Sequence, residues 1–313
     1  MSSVIPKKTV PFSLYDAFSS SAFGGSQGAV VLNASNFDAK IRQTIASELG
    51  WPATCFVNSV IGSKVVARFH STEREYPMCG HGTICLMTRL RENGMLQPAR
   101  SGMLEVDLVL PTKTASVEIR CQSNGSALVM LDIAPPKFQN DKPDIKMLAR
   151  LLGLNETDID PAYPVETALG DFVHLIIPLK SLTAIQCIKP DFAAIKAFCR
   201  GNGFETIACF STDTEQAGYD FHLRDFCPAV GVAESAAAGT TNAALAAWLY
   251  RHGLVEDDGT GKCEVKVEQG LEIGRASSIY ITLHLDNHAI TRLQVGGVAT
   301  KVLEGHLLLP DIE

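Results

Sequence analysis

Two short turns carry the residue types that could do chemistry. The first reads Cys79-Gly80-His81-Gly82-Thr83 and runs into ICLMTRLRENG; the second reads Ala238-Gly239-Thr240-Thr241-Asn242 and runs into AALAAWLYRHG. Each following segment is apolar and ends in basic residues and a glycine, so each turn is expected to open a helix. A helix N-terminus has free N–H groups and a partial positive charge, and therefore favours an anion. Two such ends facing each other across a cleft would hold a carboxylate and stabilise an enolate-like intermediate. Cys79, at the first of them, is expected to have a lowered thiol pKa, and a thiolate beside an α-carbon could take or return a proton. The plainer alternative is a pair of ordinary Gly-Thr helix starts with a structural cysteine. His81 reads as a hydrogen-bond donor to a substrate or to the turn, because as a zinc ligand it lacks partners at any usual spacing. Gly24-Gly25-x-x-Gly28 lacks the G-x-G-x-x-G spacing and is discounted as a dinucleotide motif.

The elements that must position these turns alternate strand-like and helical stretches. In the first half, strands are expected at Pro11 to Phe18, Gly28 to Leu32, Thr54 to Ser59, Lys64 to His70, Met103 to Leu110, Ala115 to Cys121 and Ala127 to Ile133, with helices at Phe37 to Leu49 and Gly80 to Asn93. In the second half, strands are expected at Asp171 to Pro178, Ala184 to Ile188, Thr206 to Phe210, Tyr219 to Leu223, Glu264 to Glu268, Ser278 to Leu285 and Ala289 to Val295. Helices are expected there at Asp144 to Leu152, Phe192 to Arg200 (stopped by Gly201) and Thr240 to His252. The helices after the two turns are small and apolar on most faces, which suits burial inside a sheet. The repeated turn-plus-helix, half a chain apart, reads as an internal duplication. The expected division is 1–133, joined by the tail from about 297 to 313, and 134–296, with the connector Ile133 to Pro143 as the crossing.

The 313 residues are 46% hydrophobic and 19% charged, a globular balance that argues against disorder. With 27 Lys and Arg against 34 Asp and Glu the net charge is −7, so nucleic acid is not an expected partner. No segment is long and apolar enough to span a membrane, and MSSVIPKKTV has no apolar core of a secretory signal. Nine scattered Cys without a C-x-x-C suggest a reduced, cytoplasmic setting in which most of them are small buried hydrophobes.

The stretch Tyr76-Pro77-Met78-Cys79-Gly80-His81-Gly82-Thr83 resembles the signature around the first catalytic Cys of proline racemases, and equally the E-x-P-x-C-G-H-A-T signature of the phenazine-biosynthesis isomerase (PhzF-like) family. The rest of the chain favours the latter. Asp16-Ala17-Phe18 with Gly25 resembles its D-x-F…G-N-P. Ala67-Arg68-Phe69 followed by Glu75 resembles A-x-x-F…E. Arg224-Asp225-Phe226-x-Pro228, Gly231-Val232-x-Glu234 and Gly239 resemble R-x-F-x-P…G-V-x-E-D-P-A-T-G. Gln269-Gly270 and Gly274-Arg275-Ala276-Ser277 resemble Q-G…G-R-P-S. Gly296-Gly297 and Gly305 close the pattern. The resemblance implies an α+β diaminopimelate-epimerase-like fold: two pseudo-symmetric domains, each an open β-barrel around a central helix, with the site at the two helix N-termini. It also implies a cofactor-independent and metal-free proton relocation, and often a homodimer.

The chain departs from that pattern where the family does its acid–base work. The Glu of the S-E-T-x-F strand is Ala53 here, in Trp51-Pro52-Ala53-Thr54-Cys55-Phe56; the Asp of E-D-P-A-T-G is Ser235, and its Pro is Ala236. There is no second Cys in the later turn. Alanine moves no proton, and serine is poor unless activated. Cys79 therefore remains as the expected catalytic group, with Gly80, His81, Ser235, Gly239 and Thr240 expected to bind the substrate's carboxylate or enolate. Cys55 would share the face of Ala53 and is read as buried core. Glu75 is expected to tie down the Cys79 turn, to orient His81 or to be plain surface; Arg224, Asp225 and Arg275 are read as structural. The expected activity is isomerisation or epimerisation of a small carboxylic acid, amino or cyclic. The competing readings are a lyase or cyclase using the same pocket, and a non-catalytic carboxylate binder.

Overall fold

A computed structural model of the protein describes residues 9–97, 102–123, 125–139 and 143–309. Part of the N-terminal segment tested above for a signal, and part of the Ile133 to Pro143 connector, lie outside them. The chain divides into two compact units, one ending at Val129 and resumed from Val298, the other running from Met130 to Gly297.

The first unit contains β1 (Thr9–Ala17), β2 (Ser26–Val31), α1 (Ala39–Leu49), β3 (Ala53–Ile61), β4 (Lys64–His70), β5 (Glu75–Tyr76), α2 (Gly80–Glu92), β6 (Met103–Val109) and β7 (Thr114–Cys121). β8 (Ala127–Ile133) leads out of it. The second contains β9 (Lys137–Gln139), α3 (Ile145–Leu152), β10 (Glu166–Leu169), β11 (Val173–Pro178), α4 (Leu182–Gln186), α5 (Phe192–Asn202), β12 (Thr206–Ser211), β13 (Phe221–Phe226), β14 (Glu234–Ser235), α6 (Gly239–Arg251), β15 (Lys262–Gln269), β16 (Ser277–Asp286) and β17 (Ala289–Gly297). β18 (Ala299–Leu308) returns to the first unit and pairs antiparallel with β1.

The duplication is visible in hydrogen bonding. In the first unit the order β18-β1-β2-β3-β4-β6-β7 pairs antiparallel, antiparallel, parallel, antiparallel, parallel, antiparallel. In the second, β9-β10-β11-β12-β13-β15-β16 repeats that sequence of senses. Each unit packs this α+β sheet against one long helix. In the first, α2 rests on β1, β2, β3 and β18; in the second, α6 rests on β11, β16 and β17. Both helices are buried on nearly every face, from Gly82 to Thr88 plus Leu90 in α2 and from Thr241 to Leu249 in α6. Small residues make this possible: Ala243, Ala244, Ala246 and Ala247 let strands approach α6 closely, and Trp248 fills the remaining space. Its indole meets Phe210 edge-on at 5.2 Å and Tyr163 at 6.0 Å.

Local chemistry sets the outer helices as well. Asp38 caps α1 by accepting from Ile41 N, and Asp144 caps α3 through Lys146 N and Met147 N. Two expectations are corrected. Ala184 to Ile188 is not a strand: Ser181 accepts from Ala184 N and starts the short helix α4. In addition, α5 runs through Gly201 to Asn202 and stops at Gly203, which takes the left-handed conformation. β5, β9, β10, β14 and β18 had no expected counterpart; four of them are two to four residues long, too short to show a period.

Replacing Trp248 by Ala would leave a large cavity at the centre of the second unit. The expected cost is about 3–5 kcal/mol, readable as a lowered denaturation midpoint at unchanged slope.

Candidate functional site

The two helix starts are built in the same way. β5 pairs with β4 (Phe69 opposite Tyr76, His70 opposite Glu75), and β14 pairs with β13 (Asp225 opposite Ser235, Phe226 opposite Glu234). From each short strand the chain runs extended into a helix N-cap, Cys79 in one unit and Ala238 in the other, and neither makes a side-chain capping bond. Register therefore equates Glu75 with Glu234, Tyr76 with Ser235 and Cys79 with Ala238. A glutamate–arginine pair anchors each turn. Glu75 lies 3.6 Å from Arg68 Nε, and Glu234 accepts from Arg224 Nε at 2.9 Å and Nη2 at 2.8 Å. Arg224 also donates to Ile185 O and Ile188 O, so the second anchor is bidentate and buried. Glu75 thus ties the strand before the Cys79 turn to β4.

At the first helix start, Cys79 Sγ lies 3.5 Å from His81 Nδ1 and 3.6 Å from Nε2. Cys79 is buried, His81 half-buried and Gly80 exposed. Gly82 has to be glycine: a Cβ there would lie 3.0 Å from the Phe69 ring, 3.1 Å from Cys55 Sγ and 3.2 Å from Cys79 Sγ. Cys55 is buried and donates to Gly82 O at 3.2 Å. Ala53 is buried on β3 opposite Gly28. The expected lowering of the Cys79 pKa is overturned. The Gly82 N–H does act to lower it, but burial outweighs that amide and pushes the thiol up to about 12. Burial also takes His81 down to about 4. At neutral pH the pair is therefore a neutral thiol beside a neutral imidazole.

At the second helix start, Ser235, Gly239 and Thr240 are half-buried. The loop between β14 and α6 is clamped by the end of β15. Gln269 donates to Ser235 O and accepts from Ala238 N and Asn242 Nδ2, and Ser277 donates to Ala236 O. Gly270, at φ +79°, passes so close that a Cβ would meet Ala236 O at 2.7 Å. The residues Gln269, Gly270 and Ser277 thus serve as scaffold for the turn.

Sequence reasoning missed a third group. Asp225, taken as a structural strand end, is buried, and its Oδ2 accepts from Thr241 Oγ1 at 3.0 Å. Thr206 Oγ1 lies 2.8 Å from Nδ1 of the buried His174, in the adjacent strand. Burial pushes Asp225 up to about 7 and His174 down to about 4. The only trace in the sequence is an Asp at the x of R-x-F, where a strand interior is expected.

Residues 15–305 match the family described as "Phenazine biosynthesis-like protein". The chain is 28% identical over 300 residues to the trans-2,3-dihydro-3-hydroxyanthranilate isomerase of Pseudomonas fluorescens, covering 95% of this chain and 98% of that one. It is 28% identical over 298 residues to the Escherichia coli (strain K12) protein named "Uncharacterized isomerase YddE", covering 91% and 93%. Among solved structures, the Bacillus anthracis phenazine biosynthesis protein of the PhzF family superposes with a TM-score of 0.86 at 24% identity, over 96% of this chain and 100% of that one. The Agrobacterium vitis hydroxyproline epimerase superposes with 0.59 at 11% identity, over 97% and 94%. The α+β, diaminopimelate-epimerase-like fold expected from sequence is the fold observed.

Two outcomes check this description. Alkylation by iodoacetamide at pH 8, followed peptide by peptide, is expected to label Cys79 more than about tenfold more slowly than the exposed Cys187; equal rates would contradict a thiol held protonated. Glu234→Ala leaves Arg224 buried without its carboxylate and is expected to cost about 3–5 kcal/mol in chemical denaturation.

Proposed function

Because the chain belongs to the phenazine-biosynthesis-like family, an enzymatic family with relatives named as isomerases, we propose that it relocates a proton on a small carboxylic acid, amino or cyclic, without a cofactor. The observation that carries the reading is the neutral Cys79–His81 pair at an uncapped helix N-terminus. A protonated thiol is the donor form. It can deliver a proton to a carbanionic carbon and be left as a thiolate, which the Gly82 N–H and His81 stabilise until a proton returns. The free N–H groups around Gly80 and His81 suit a carboxylate or an enolate oxygen, and so do those at Gly239 and Thr240. Ser235, half-buried on the short strand before the second turn, is read as a further hydroxyl for the substrate. Among the described residues no helix is long and apolar enough to cross a membrane, and none group to hold a metal ion.

A second reading, lyase or cyclase chemistry on the same bound acid, draws on Ala53 and Ser235. Neither can do the work of the carboxylates in the corresponding family motifs. The two readings differ in what happens to solvent hydrogen.

The test is deuterium wash-in by mass spectrometry in D₂O with a panel of amino, imino and cyclic unsaturated acids. Isomerase activity is expected to place deuterium at a former C–H position, and Cys79→Ala is expected to lose about 10²–10⁴-fold in rate while keeping its melting temperature within a few degrees. Turnover without incorporation would move the assignment to a lyase or cyclase. Full activity in Cys79→Ala would remove this residue from the chemistry.

A further inference from the structure

The strand that clamps the second helix start also carries a charged cluster that the reading above does not use. His222 on β13 is fully buried opposite Glu268 of β15, which is fully buried too. Its Nδ1 lies 2.8 Å from Glu268 Oε1, and its Nε2 lies 2.9 Å from Oε1 of Glu272, in the turn after β15. Glu268 is an acceptor elsewhere as well: its Oε1 takes the Glu215 N–H and its Oε2 the Gln216 N–H. Burial works to raise Glu272, but the His222 bond outweighs it and holds that carboxyl below its ordinary range. An ionised carboxylate only accepts, so both ring nitrogens donate and the ring is an imidazolium.

The turn held in this way fixes the entry of the chain into α6. Gln269, next to Glu268, bonds Ser235 O and Ala238 N; Gly270 packs on Ala236, and Ser277 donates to Ala236 O. Within the turn, Gly274 N donates to Leu271 O and Arg275 N to Gly270 O. Its tip, Ile273 and Gly274, is exposed. Glu272 Oε2 is buried with no hydrogen-bond partner among the described residues, so the side chain is held through Oε1 and His222. The other charged and titratable groups around this face are Arg224 two residues along β13, Glu234 of β14 bonded to it, and Cys209 opposite Arg224 on β12. Ser211 of β12 stands opposite His222 itself. Glu215, in the loop after β12, meets Glu268 through its backbone while its carboxylate accepts from Gln186, and Arg275 lies on the turn.

We propose that His222, as the cation between Glu268 and Glu272, is a pH-sensitive lock on the turn over residues 270–276 and, through that turn, a positioning residue for the start of α6. When the ring loses a proton, one nitrogen presents a lone pair to a carboxylate oxygen. Glu268 keeps its two amide donors, whereas Glu272 becomes a largely buried charge without its partner, which is strongly unfavourable. Turning Glu272 out to water relieves this, draws the turn away from Ala236 and loosens the α6 start. Burial works against the charged ring, but Glu272 and Glu268 outweigh it and hold His222 above its ordinary value of 6.5. With the value raised in the closed state, the lock is complete below 6.5 and is lost as pH rises through the raised value. The lock goes beyond the isomerase reading and rests on it only for what the α6 start would hold.

Three measurements on the full chain test the lock. In ¹⁵N-histidine NMR, His222 is expected to keep both N–H protons above pH 6.5, and Glu272→Gln, which removes one carboxylate, is expected to lower its midpoint. A wild-type ring that titrates at or below 6.5 overturns the lock. In hydrogen exchange corrected for the intrinsic rate, protection of the Gly274, Arg275 and Ala238 amides is expected to fall as pH rises above 6.5, by up to about tenfold per pH unit. Glu272→Gln is expected to keep protection level, because its amide NH₂ can donate to the bare ring nitrogen. Protection independent of pH in the wild type, or the same fall in Glu272→Gln, overturns the lock. In deuterium wash-in with the acid panel, KM is expected to rise over the same pH interval in the wild type and to stay level in Glu272→Gln; a level wild-type KM overturns the positioning role. A wild type that exchanges nothing overturns the isomerase reading alone, since NMR and amide protection decide the lock without turnover.

Discussion

The start of a helix buried on all sides, with no side chain capping it, is the constraint on which the rest depends. A helix leaves its first N–H groups without intrahelical partners, and burying them unpaired is costly. Neither Cys79 nor Ala238 caps its helix, so both ends present donors that a ligand oxygen can use. Everything around them keeps those ends open yet fixed. Small residues admit the strands, a short strand sets the entry of the chain, and a glutamate–arginine pair holds that strand. Stability comes from the buried helix and its sheet, while the first turn stays accessible, with Gly80 exposed and His81, Gly239 and Thr240 half-buried.

The two units spend the same frame differently. In the first, the tight approach at Gly82 packs Cys55 and Cys79 together and buries the thiol. Burial and the helix end act on Cys79 in opposite directions, and burial wins. In the second, the N-cap is Ala238, and the polar character lies behind the helix, in Asp225, Thr241, Thr206 and His174. Such a network is tolerated in a low-dielectric interior because nearly every member is paired. Asp225 Oδ1 is the exception, buried with no hydrogen-bond partner among the described residues.

The frame also separates residues by role. The conspicuous motif residues Arg224, Glu234, Gln269, Gly270 and Ser277 shape and hold the second turn. They are polar because a loop that crosses a buried region must satisfy its own backbone.

Much of this was legible in the chain itself. Glycine-opened apolar helices, half a chain apart, announced the duplication, since a helix apolar on every face has to be buried. Motif order placed the chain in its family, and most long strands showed their period. Three features depended on tertiary structure. The Cys79 pKa is decided by how deeply β3, β4 and α2 enclose the thiol, which a helix-end rule does not contain. Ala184 to Gln186 is helical, as part of α4, because Ser181 caps it there, where an apolar run by itself suits either state. His174 and Thr206, 32 positions apart, become neighbours only through strand register. Residue types and local periods are properties of the sequence, whereas burial and cross-strand neighbours arise only when the sheet closes around its helix.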